Sequence, residues 1–528
     1  MDKSLESLII IDLVKSKVKS FADLDNFKRK ISKKFKIPVI SNIQLLKSYH
    51  AFCARRREKP DKNLELALRK RAMRSLSGVA VVSVLTKPYP CPGNCLYCPT
   101  EKGMPKSYLS NEPAVMRAIL NKFDPYRQVQ ARIESLEIQG HPTDKVELII
   151  IGGTWSYLPK KYQEWFVTRC FAACNNKSRN KIQNLSREQK KNEVAKHRII
   201  GITAETRPDY INEKEILHLR KLGVTRVEMG VQSIYDDVLK FNQRGHSVKD
   251  TINATKLLKD AGFKICYHMM PNLPKSDLKR DEAMFRELFE NQGFQPDLLK
   301  IYPCAVLKEA PLYRLWQKGG YKPYTEKQLT DLLLKVKKQI PYYCRIQRLT
   351  RDIPSQSIVE GPAKISNLRQ ILAEISKKQS WRCHCIRCRE IKGDYQTKEK
   401  LYLFREEYSA SGGREIFLSY ESKNRERLYS LLRLRIPSED ATLSVIKGSS
   451  IIRELHTYGQ LHPLLETESE LSPQHKGLGK KLIIEAEKIT KNETKLKKIT
   501  VISGVGVRGY YKKFGYKLKD TYMLKKIR

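Results

Sequence analysis

The sequence predicts an α/β protein in three parts: a basic helical N-terminal region, a parallel β-sheet with intervening helices, and a small C-terminal α+β domain. Three observations support this prediction. Before Val79, apolar residues recur at helical spacing. From Val79 onwards, short β-branched runs alternate with helical stretches, as in repeated β-α units. After about Tyr395, several strand patterns follow one another and a single helix comes after a glycine-bearing loop.

The N-terminal region, residues 1–77, combines helical periodicity with an excess of positive charge. Leu5–Val18 and Leu64–Leu76 show the periodicity, and the region holds 20 Lys and Arg against 8 Asp and Glu. Its basic runs are Arg55, Arg56 and Arg57, followed by Arg69, Lys70, Arg71 and Arg74. A solvated helix face is the ordinary explanation of such runs. The scarcity of neighbouring acid favours contact with phosphates instead.

The whole chain of 528 residues carries a formal net charge of +44. A polyanionic partner explains this excess better than a generally basic proteome, which remains the alternative. No apolar stretch approaches the roughly 18 residues of a membrane-spanning helix, so no membrane partner is expected. Twelve cysteines, six of them in two tight groups, indicate metal binding in a reducing compartment, and a cytoplasmic location is expected.

Residues 78–355 form the predicted parallel sheet, either open or closed into a barrel. Helical patterns between its strands include Glu213–Leu222, Val248–Ala261 and Asp281–Asn291, and Asn175–Lys196 is interpreted as an exposed insertion. The predicted strands are Val79–Leu85, Val146–Ile151, Arg198–Thr203, Arg226–Val231, Lys264–His268, Leu298–Tyr302 and Arg345–Leu349.

A loop with three cysteines follows the first predicted strand. Cys91, Cys95 and Cys98 are spaced C-x3-C-x2-C, a pattern that suits three irons of a [4Fe–4S] cluster and leaves the fourth iron open. An open iron can chelate S-adenosylmethionine, whose reductive cleavage gives a 5′-deoxyadenosyl radical. Structural zinc is the alternative, but zinc usually takes four ligands and no fourth Cys or His lies within ten residues.

Three further strand ends carry candidate cofactor contacts. Gly152 and Gly153 suit the methionine amino group of S-adenosylmethionine, although a tight turn explains them equally well. Glu205 is a candidate acceptor for a ribose hydroxyl, with a salt bridge to Arg207 as the alternative. Gln232, after the next strand, has a similar status.

Residues 356–395 form a cysteine-rich linker. Cys383, Cys385 and Cys388 predict a structural zinc site, with Cys304 as the first choice of fourth ligand and Cys344 in reserve. Free buried thiols are the alternative.

Residues 396–528 form the C-terminal domain. Gln474–Gly479 matches Q-x-x-G-x-G directly before an apolar helix, so Gly477 is expected beside a bound pyrophosphate. The upstream strand Ile451–Thr457 is a candidate for a splayed strand that receives a pantetheine arm. Tyr511 is placed to meet a leaving thiolate, or else packs in the core. This order of elements resembles the GCN5-related acetyltransferase fold.

Taken together, these features resemble the Elongator catalytic subunit, the radical-SAM and acetyltransferase family that modifies tRNA uridine. The likeness runs from about Arg69 to the end of the chain. It includes Thr203–Asp209, Gly230–Ser233, Asn242–His246, His268–Pro271, Arg351–Pro354, Arg453–His456 and Ile502–Gly506. The resemblance implies a radical-SAM partial (β/α) barrel joined to a GCN5-related acetyltransferase domain.

The resemblance also implies the reaction. The deoxyadenosyl radical abstracts hydrogen from the methyl group of acetyl-CoA, the carbon radical adds to C5 of uridine 34 of tRNA, and thioester hydrolysis gives 5-carboxymethyluridine. The basic N-terminal residues would then bind tRNA, and an electron donor that the sequence does not identify is required. Acetyl-CoA contacts carry over to Lys145, Glu454, Leu455, His456, Thr457, Leu478, Gly479, Lys480 and Tyr511.

Two departures from the eukaryotic pattern indicate a stand-alone, non-eukaryotic-type member. The first cysteine loop is compact and the linker holds three cysteines rather than one, which argues against Elongator-type partner subunits. Two other functions are considered. A protein lysine acetyltransferase with a structural cluster would need a general base, for which Glu454 is the candidate. A tRNA-binding scaffold without chemistry disagrees with the intact cysteine loop.

Overall fold

The structure is a computed structural model that describes residues 3–16, 18, 21–68, 78–175, 182–365, 367–392, 399–459 and 477–527. Four helices form the N-terminal region: α1 (Lys3–Lys15), α2 (Phe21–Phe35), α3 (Asn42–Arg56) and α4 (Lys62–Leu68). Their apolar faces enclose a core of their own, which includes Ile9, Leu24 and Leu45. The predicted helices are therefore confirmed as far as Leu68. Arg69, Lys70, Arg71 and Arg74 lie outside the described residues.

The central part is a partial barrel of parallel strands. Its strands, with a short pair outside the main sheet, are β1 (Ala80–Leu85), β2 (Lys145–Ile151), β3 (Arg198–Thr206), β4 (Arg226–Gln232), β5 (Lys264–Met269), β6 (Leu298–Ile301), β7 (Val306–Leu307), β8 (Arg345–Arg348) and β9 (Ile358–Glu360). Seven of them pair in the order β1-β2-β3-β4-β5-β6-β8, and β7 pairs with β9. All seven predicted strands are confirmed within two or three residues at each end, and β1 and β8 remain as open edges.

Helices cover the outside of this sheet and bring the chain back between strands. They are α5 (Pro113–Leu120), α6 (Pro125–Ile138), α7 (Lys160–Asn175), α8 (Leu185–Asn192), α9 (Glu213–Leu222), α10 (Asp236–Phe241), α11 (Val248–Asp260), α12 (Leu278–Glu290), α13 (Leu312–Gln317), α14 (Glu326–Gln339), α15 (Leu368–Lys378) and α16 (Ile386–Arg389). Local sequence sets their ends. For α9, Asn212 accepts a hydrogen bond from the Glu215 N–H and Gly223 ends the helix at φ 90°.

The prediction of an exposed insertion at Asn175–Lys196 is correct only in part for its described residues, because one face of this segment is exposed and the other is buried. Helix α8 buries Leu185, Glu188 and Asn192 completely or nearly so. The Asn192 side chain accepts from the Ile199 N–H at 2.7 Å and donates to the His197 carbonyl at 3.0 Å, so it fixes the start of β3. A polar composition therefore does not mark a fully exposed segment here, because some of its polar groups satisfy buried backbone.

The C-terminal domain is a mixed seven-stranded sheet with two helices. Its elements are β10 (Tyr402–Ala410), β11 (Gly413–Glu421), β12 (Leu428–Ile436), β13 (Ser449–Thr457), α17 (Leu478–Glu493), β14 (Lys498–Val501), α18 (Arg508–Lys512), β15 (Lys517–Lys519) and β16 (Tyr522–Lys526). The strand order is β10-β11-β12-β13-β14-β16-β15. Strand β13 pairs with β14 only as far as Ile452, so its second half leaves β14 and opens a gap. The predicted splayed strand is thus present.

The barrel and the C-terminal domain share a closely packed seam. A Cβ atom added to Gly504 would lie 1.9 Å from the Ile200 carbonyl oxygen, and one added to Gly506 would lie 2.9 Å from that of Ile199. Glycine is therefore required at both positions, because the loop after β14 rests directly on the backbone of β3. Buried ion pairs join the same two domains, including Arg453 with Asp297 and Arg435 with Asp260.

Candidate active site

A single cavity of about 2800 Å³ lies between the partial barrel and the C-terminal domain. The barrel side includes Gly153, Glu205, Gln232, His268 and Lys300. The C-terminal domain contributes the splayed half of β13, the start of α17, and Tyr511. Residues predicted to bind two different cofactors therefore line one shared cavity.

The cysteine loop lies on the barrel side of this cavity, and Tyr97, which stands between Cys95 and Cys98, lines it. Cys95 is buried, whereas Cys91 and Cys98 are partly exposed. Their sulfurs do not form a group within 4.8 Å of one another, as three ligands of one ion would. This spread suits a cluster, in which each thiolate binds a different iron. The buried Tyr97 hydroxyl and Arg207 Nη1 also have no hydrogen-bond partner among the described atoms, so the loop has polar groups left to meet a bound group.

The two glycines after β2 have different roles. Gly152 packs against Thr86, whose Oγ1 would lie 2.1 Å from a Cβ at this position. Gly153, at φ 99°, would meet only the Lys106 carbonyl at 3.7 Å, so its backbone is open to the cavity. Gln232 ends β4 at φ 69°, an unusual value for a residue with a side chain, and its buried Oε1 has no partner. Gly153 thus leaves room for a ligand to approach its backbone, and Gln232 presents an amide oxygen without a partner among the described atoms.

Glu205 projects into the cavity and makes no ion pair with Arg207. Its Oε2 accepts a hydrogen bond from the Tyr108 hydroxyl at 3.0 Å, and its Oε1 lies 3.7 Å from Lys300 Nζ. Arg207 instead donates to both oxygens of Asp209 at 2.9 and 2.8 Å. The salt-bridge alternative is therefore wrong, and Glu205 keeps acceptor capacity toward the cavity.

A charged group on the barrel wall was missed by the sequence reasoning. Glu228 contacts Lys300 and accepts from His268 Nε2 at 2.9 Å, and Lys300 holds the pKa of this buried carboxyl well below its usual range. Its oxygens also lie within 4.8 Å of Cys266. Two cations, Lys300 and Arg226, already neutralise it, so the geometry disfavours a divalent metal there. The signal available in the sequence was Glu228, a charged residue within the run Arg226–Val231 that predicts a buried strand.

The splayed half of β13 carries two groups with perturbed pKa values. Glu454 accepts from Arg433 Nε at 2.8 Å and from Lys264 Nζ at 3.2 Å. Burial alone would raise the pKa of its carboxyl, but these two cations hold it well below the usual range. Burial lowers the pKa of His456 to about 4, and its Nε2 has no partner among the described atoms. His456 is therefore neutral, and Glu454 is a weak base.

The start of α17 faces the cavity with free backbone donors. Gly477 precedes the helix at φ 64°, and no side chain of the described residues caps it. A Cβ at Gly479 would lie 2.8 Å from the Tyr510 hydroxyl, so only glycine leaves the approach open. Leu478 is buried in the core, whereas Lys480 lines the cavity. These features suit a pyrophosphate at the helix N-terminus.

Tyr511 and Lys145 complete the cavity wall from opposite domains. Tyr511 packs in the core of the C-terminal domain and is 6% exposed, and its accessible part lines the cavity. Burial raises the pKa of its hydroxyl, which therefore stays protonated. Lys145, the first residue of β2, lines the same space, and burial lowers the pKa of its ammonium group.

The second cysteine group has the geometry of a single-ion site. The sulfurs of Cys383, Cys385 and Cys388 lie within 4.8 Å of one another. Cys304 does not join them: it lies in a separate apolar cluster with Leu273 and Tyr321. The choice of Cys304 as fourth ligand is therefore not supported.

Cys344 is the nearer thiol. Its carbonyl accepts from the Ile386 N–H at 3.0 Å, and burial, followed by the proximity of Cys385, raises the pKa of its thiol. His384 turns away from the sulfurs and stacks on Tyr342, with ring centroids 4.4 Å apart.

The basic residues at the end of α3 are exposed. Arg55, Arg56 and Arg57 all face solvent, and the nearest acidic partner of Arg56 is Glu58 at 3.9 Å. His50 from the same helix lines the shared cavity. Within the described residues, no helix is both long and apolar enough to cross a membrane.

Comparison with known proteins agrees with this geometry. The Radical SAM superfamily model matches residues 89–288, and the Radical_SAM C-terminal domain model matches 296–378. The tRNA uridine(34) acetyltransferase of Methanocaldococcus jannaschii is 47% identical over 478 residues, covering 88% of each chain. Elongator complex protein 3 of Homo sapiens is 40% identical over 481 residues, covering 87% of this chain and 86% of the human protein.

A solved structure is also similar over most of the chain. The archaeal Elp3 of Methanocaldococcus infernus, with an N-terminal deletion, superposes with a TM-score of 0.74 at 44% identity, covering 85% of this chain and 99% of that one. The radical SAM match covers the cysteine loop and the strand ends that face the cavity. The chain is therefore a radical SAM enzyme and belongs to the family of tRNA uridine(34) acetyltransferases and Elongator complex protein 3.

Proposed function

We propose that this enzyme modifies the wobble uridine of tRNA by joining the methyl carbon of acetyl-CoA to C5 of uridine 34. The methyl hydrogen would pass to the 5′-deoxyadenosyl radical, and the C5 hydrogen would leave as a proton while one electron returns to the oxidised cluster. Water would then hydrolyse the thioester to give 5-carboxymethyluridine and CoA. The observation that carries the proposal is the single cavity shared by the two cofactor regions. The names of the relatives, tRNA uridine(34) acetyltransferase among them, support the substrate and the acyltransferase class.

The barrel side supplies the radical half of the reaction. Cys91, Cys95 and Cys98 are the proposed cluster ligands, and a bound cluster with S-adenosylmethionine supplies a 5′-deoxyadenosyl radical there. Gly153 and Gln232 offer free backbone and amide groups to the methionine portion. Glu205, held by Tyr108, is the proposed acceptor for a ribose hydroxyl.

The C-terminal side supplies the acyl half. Backbone donors at Gly477, Leu478, Gly479 and Lys480 would bind the pyrophosphate of acetyl-CoA. The pantetheine arm would then enter the gap beside Glu454, Leu455, His456 and Thr457. Tyr511, protonated because it is buried, would donate its proton to the CoA thiolate that leaves when water attacks the thioester carbonyl, and Lys145 would contact the acyl donor from the barrel side.

The remaining proposals concern organisation. We propose four segments: a tRNA-binding region at 1–77, the partial barrel at 78–355, a zinc linker at 356–395 and the acetyltransferase domain at 396–528. Zinc would be held by Cys383, Cys385 and Cys388, with Cys344 as the nearest candidate for a fourth ligand. Twelve unpaired cysteines support a cytoplasmic location. A stand-alone enzyme would reach tRNA through its own basic helices.

The decisive experiment is nucleoside mass spectrometry of tRNA after anaerobic reaction with S-adenosylmethionine, acetyl-CoA and a reductant. We expect 5-carboxymethyluridine with the reconstituted enzyme and none with the Cys95→Ser variant, which should still bind tRNA. Unmodified tRNA together with acetylated protein lysines would refute the proposal. The structure already weighs against that protein acetyltransferase, because Glu454, its candidate base, is held in two ion pairs with a depressed pKa.

A further inference from the structure

A buried arginine lies over the proposed cluster loop. Arg244 follows α10 and is 7% exposed, and its Nη1 donates a hydrogen bond to Cys95 Sγ at 3.6 Å. Cys95 is itself 5% exposed, so water does not screen this contact well. The guanidinium is a permanent cation, because an arginine in a protein does not lose its proton.

The rest of the Arg244 side chain is fixed by the barrel. Its Nε and Nη2 donate to the Gly230 carbonyl at 3.2 and 2.6 Å. A Cβ added to Gly230 would lie 2.5 Å from Arg244 Nη2, so the absence of a side chain in β4 makes room for this arrangement. The orientation of the Arg244 donor is therefore set by strand β4.

A second arginine nearby does not replace this charge. Arg207 Nη1 would lie 2.6 Å from a Cβ on Gly93, so it also approaches the cysteine loop. However, Asp209 accepts from the other side of that guanidinium through both of its oxygens. Arg207 with Asp209 is nearly neutral as a pair, whereas Arg244 has only a backbone carbonyl and a thiol as partners among the described atoms.

We infer that Arg244 is a positioning residue that makes the cluster easier to reduce, by donating an N–H group to the Cys95 thiolate. The inference rests on the proposed ligation by Cys95. Adding one electron makes the cluster more negative, so a nearby cation and an N–H···S bond stabilise the reduced form more than the oxidised form. Radical formation from S-adenosylmethionine begins with that electron, which a low-potential one-electron donor must supply.

Two variants test the inference in different ways. Arg244→Gln removes the charge, whereas Gly230→Ala keeps the charge and displaces the guanidinium through the clash at Nη2. The full-length proteins are reconstituted anaerobically with iron and sulfide, and the cluster is titrated electrochemically while the reduced form is followed by electron paramagnetic resonance. Arg280→Gln is the matched control, because Arg280 pairs with Asp237 at the barrel surface.

We expect the equilibrium constant for reduction to fall at least tenfold in both variants, which is a midpoint about 59 mV more negative. The control should keep the wild-type midpoint. Wild-type midpoints in both variants, at full iron content, would overturn the inference, and if Arg244→Gln does not hold a cluster the milder Gly230→Ala decides alone. Full iron and an unchanged spectrum in Cys95→Ser would instead overturn the ligation, and the inference with it.

Discussion

The buried ion pair between Asp297 and Arg453 should hold the partial barrel and the C-terminal domain together. Asp297, at the start of β6, is completely buried and accepts from Arg453 Nη1 and Nη2 at 3.0 and 2.5 Å. Arg433 lies 3.6 Å and Lys259 4.0 Å from the same carboxylate. Asp297→Asn keeps the shape of the side chain but leaves three buried cations with less negative charge between them.

The magnitude follows from the burial of every partner. Removing one member of a buried ion pair typically costs about 3–5 kcal/mol, because the remaining charge stays desolvated and loses its partner. Arg453 keeps Glu415 at 2.8 Å and Arg433 keeps Glu454 at 2.8 Å, so the low end of this range is expected. Asp237→Asn is the matched control: Asp237 contacts Arg280 at 2.7 Å, but its side chain is 61% exposed. Exposed pairs contribute at most about 1 kcal/mol. The Asp→Asn change is thus expected to lower the free energy of unfolding several-fold more at Asp297 than at Asp237.

Urea unfolding of the full-length variants measures this difference, and a functional assay measures its consequence. Arg453 precedes the half of β13 that lines the cavity, so Asp297→Asn should lower the yield of modified uridine per 5′-deoxyadenosine formed, with radical formation retained. Equal urea midpoints for the two variants would refute the energetic reasoning. An unchanged product ratio in a destabilised Asp297→Asn variant would refute the link to the cavity.

Three further predictions follow from the other sites. Cys385→Ser should lose zinc by elemental analysis whereas Cys304→Ser should retain it, and the reverse result would restore Cys304 as a ligand. The pKa of Glu454 is depressed in the folded state, so the stability that its carboxylate contributes is present above the ordinary pKa of 4.5 and is lost as the pH falls below it. Glu454→Gln should therefore flatten the acid dependence of the urea midpoint. A pH profile identical to that of the wild type would contradict this prediction. Reversing the charges of Arg55–Arg57 to Glu should weaken tRNA binding at least tenfold and reduce its salt dependence, and an unchanged salt slope would place the tRNA elsewhere.

The sequence predicted those features that depend on local pattern. Short β-branched runs between helical stretches located all seven strands of the main barrel sheet, and cysteine spacing located both thiol groups. Pairing across long separations was not predictable in this way. Glu228 and Lys300 are 72 residues apart, and only the barrel brings them together. The choice of Cys304 failed for the same reason, since a strand end does not reveal which cluster its side chain joins.

The contact of Gly504 and Gly506 with β3 restricts how the partial barrel and the C-terminal domain can move relative to each other during the reaction. This close backbone packing, together with the buried Arg453–Asp297 and Arg435–Asp260 pairs, resists separation of the partial barrel from the C-terminal domain. We therefore expect the cavity walls to keep their spacing during turnover and the proposed acyl carrier to be the part that moves. A pantetheine chain threaded beside β13 would act as a tether, and its length, rather than a hinge in the protein, would set how far the methyl group travels toward the radical.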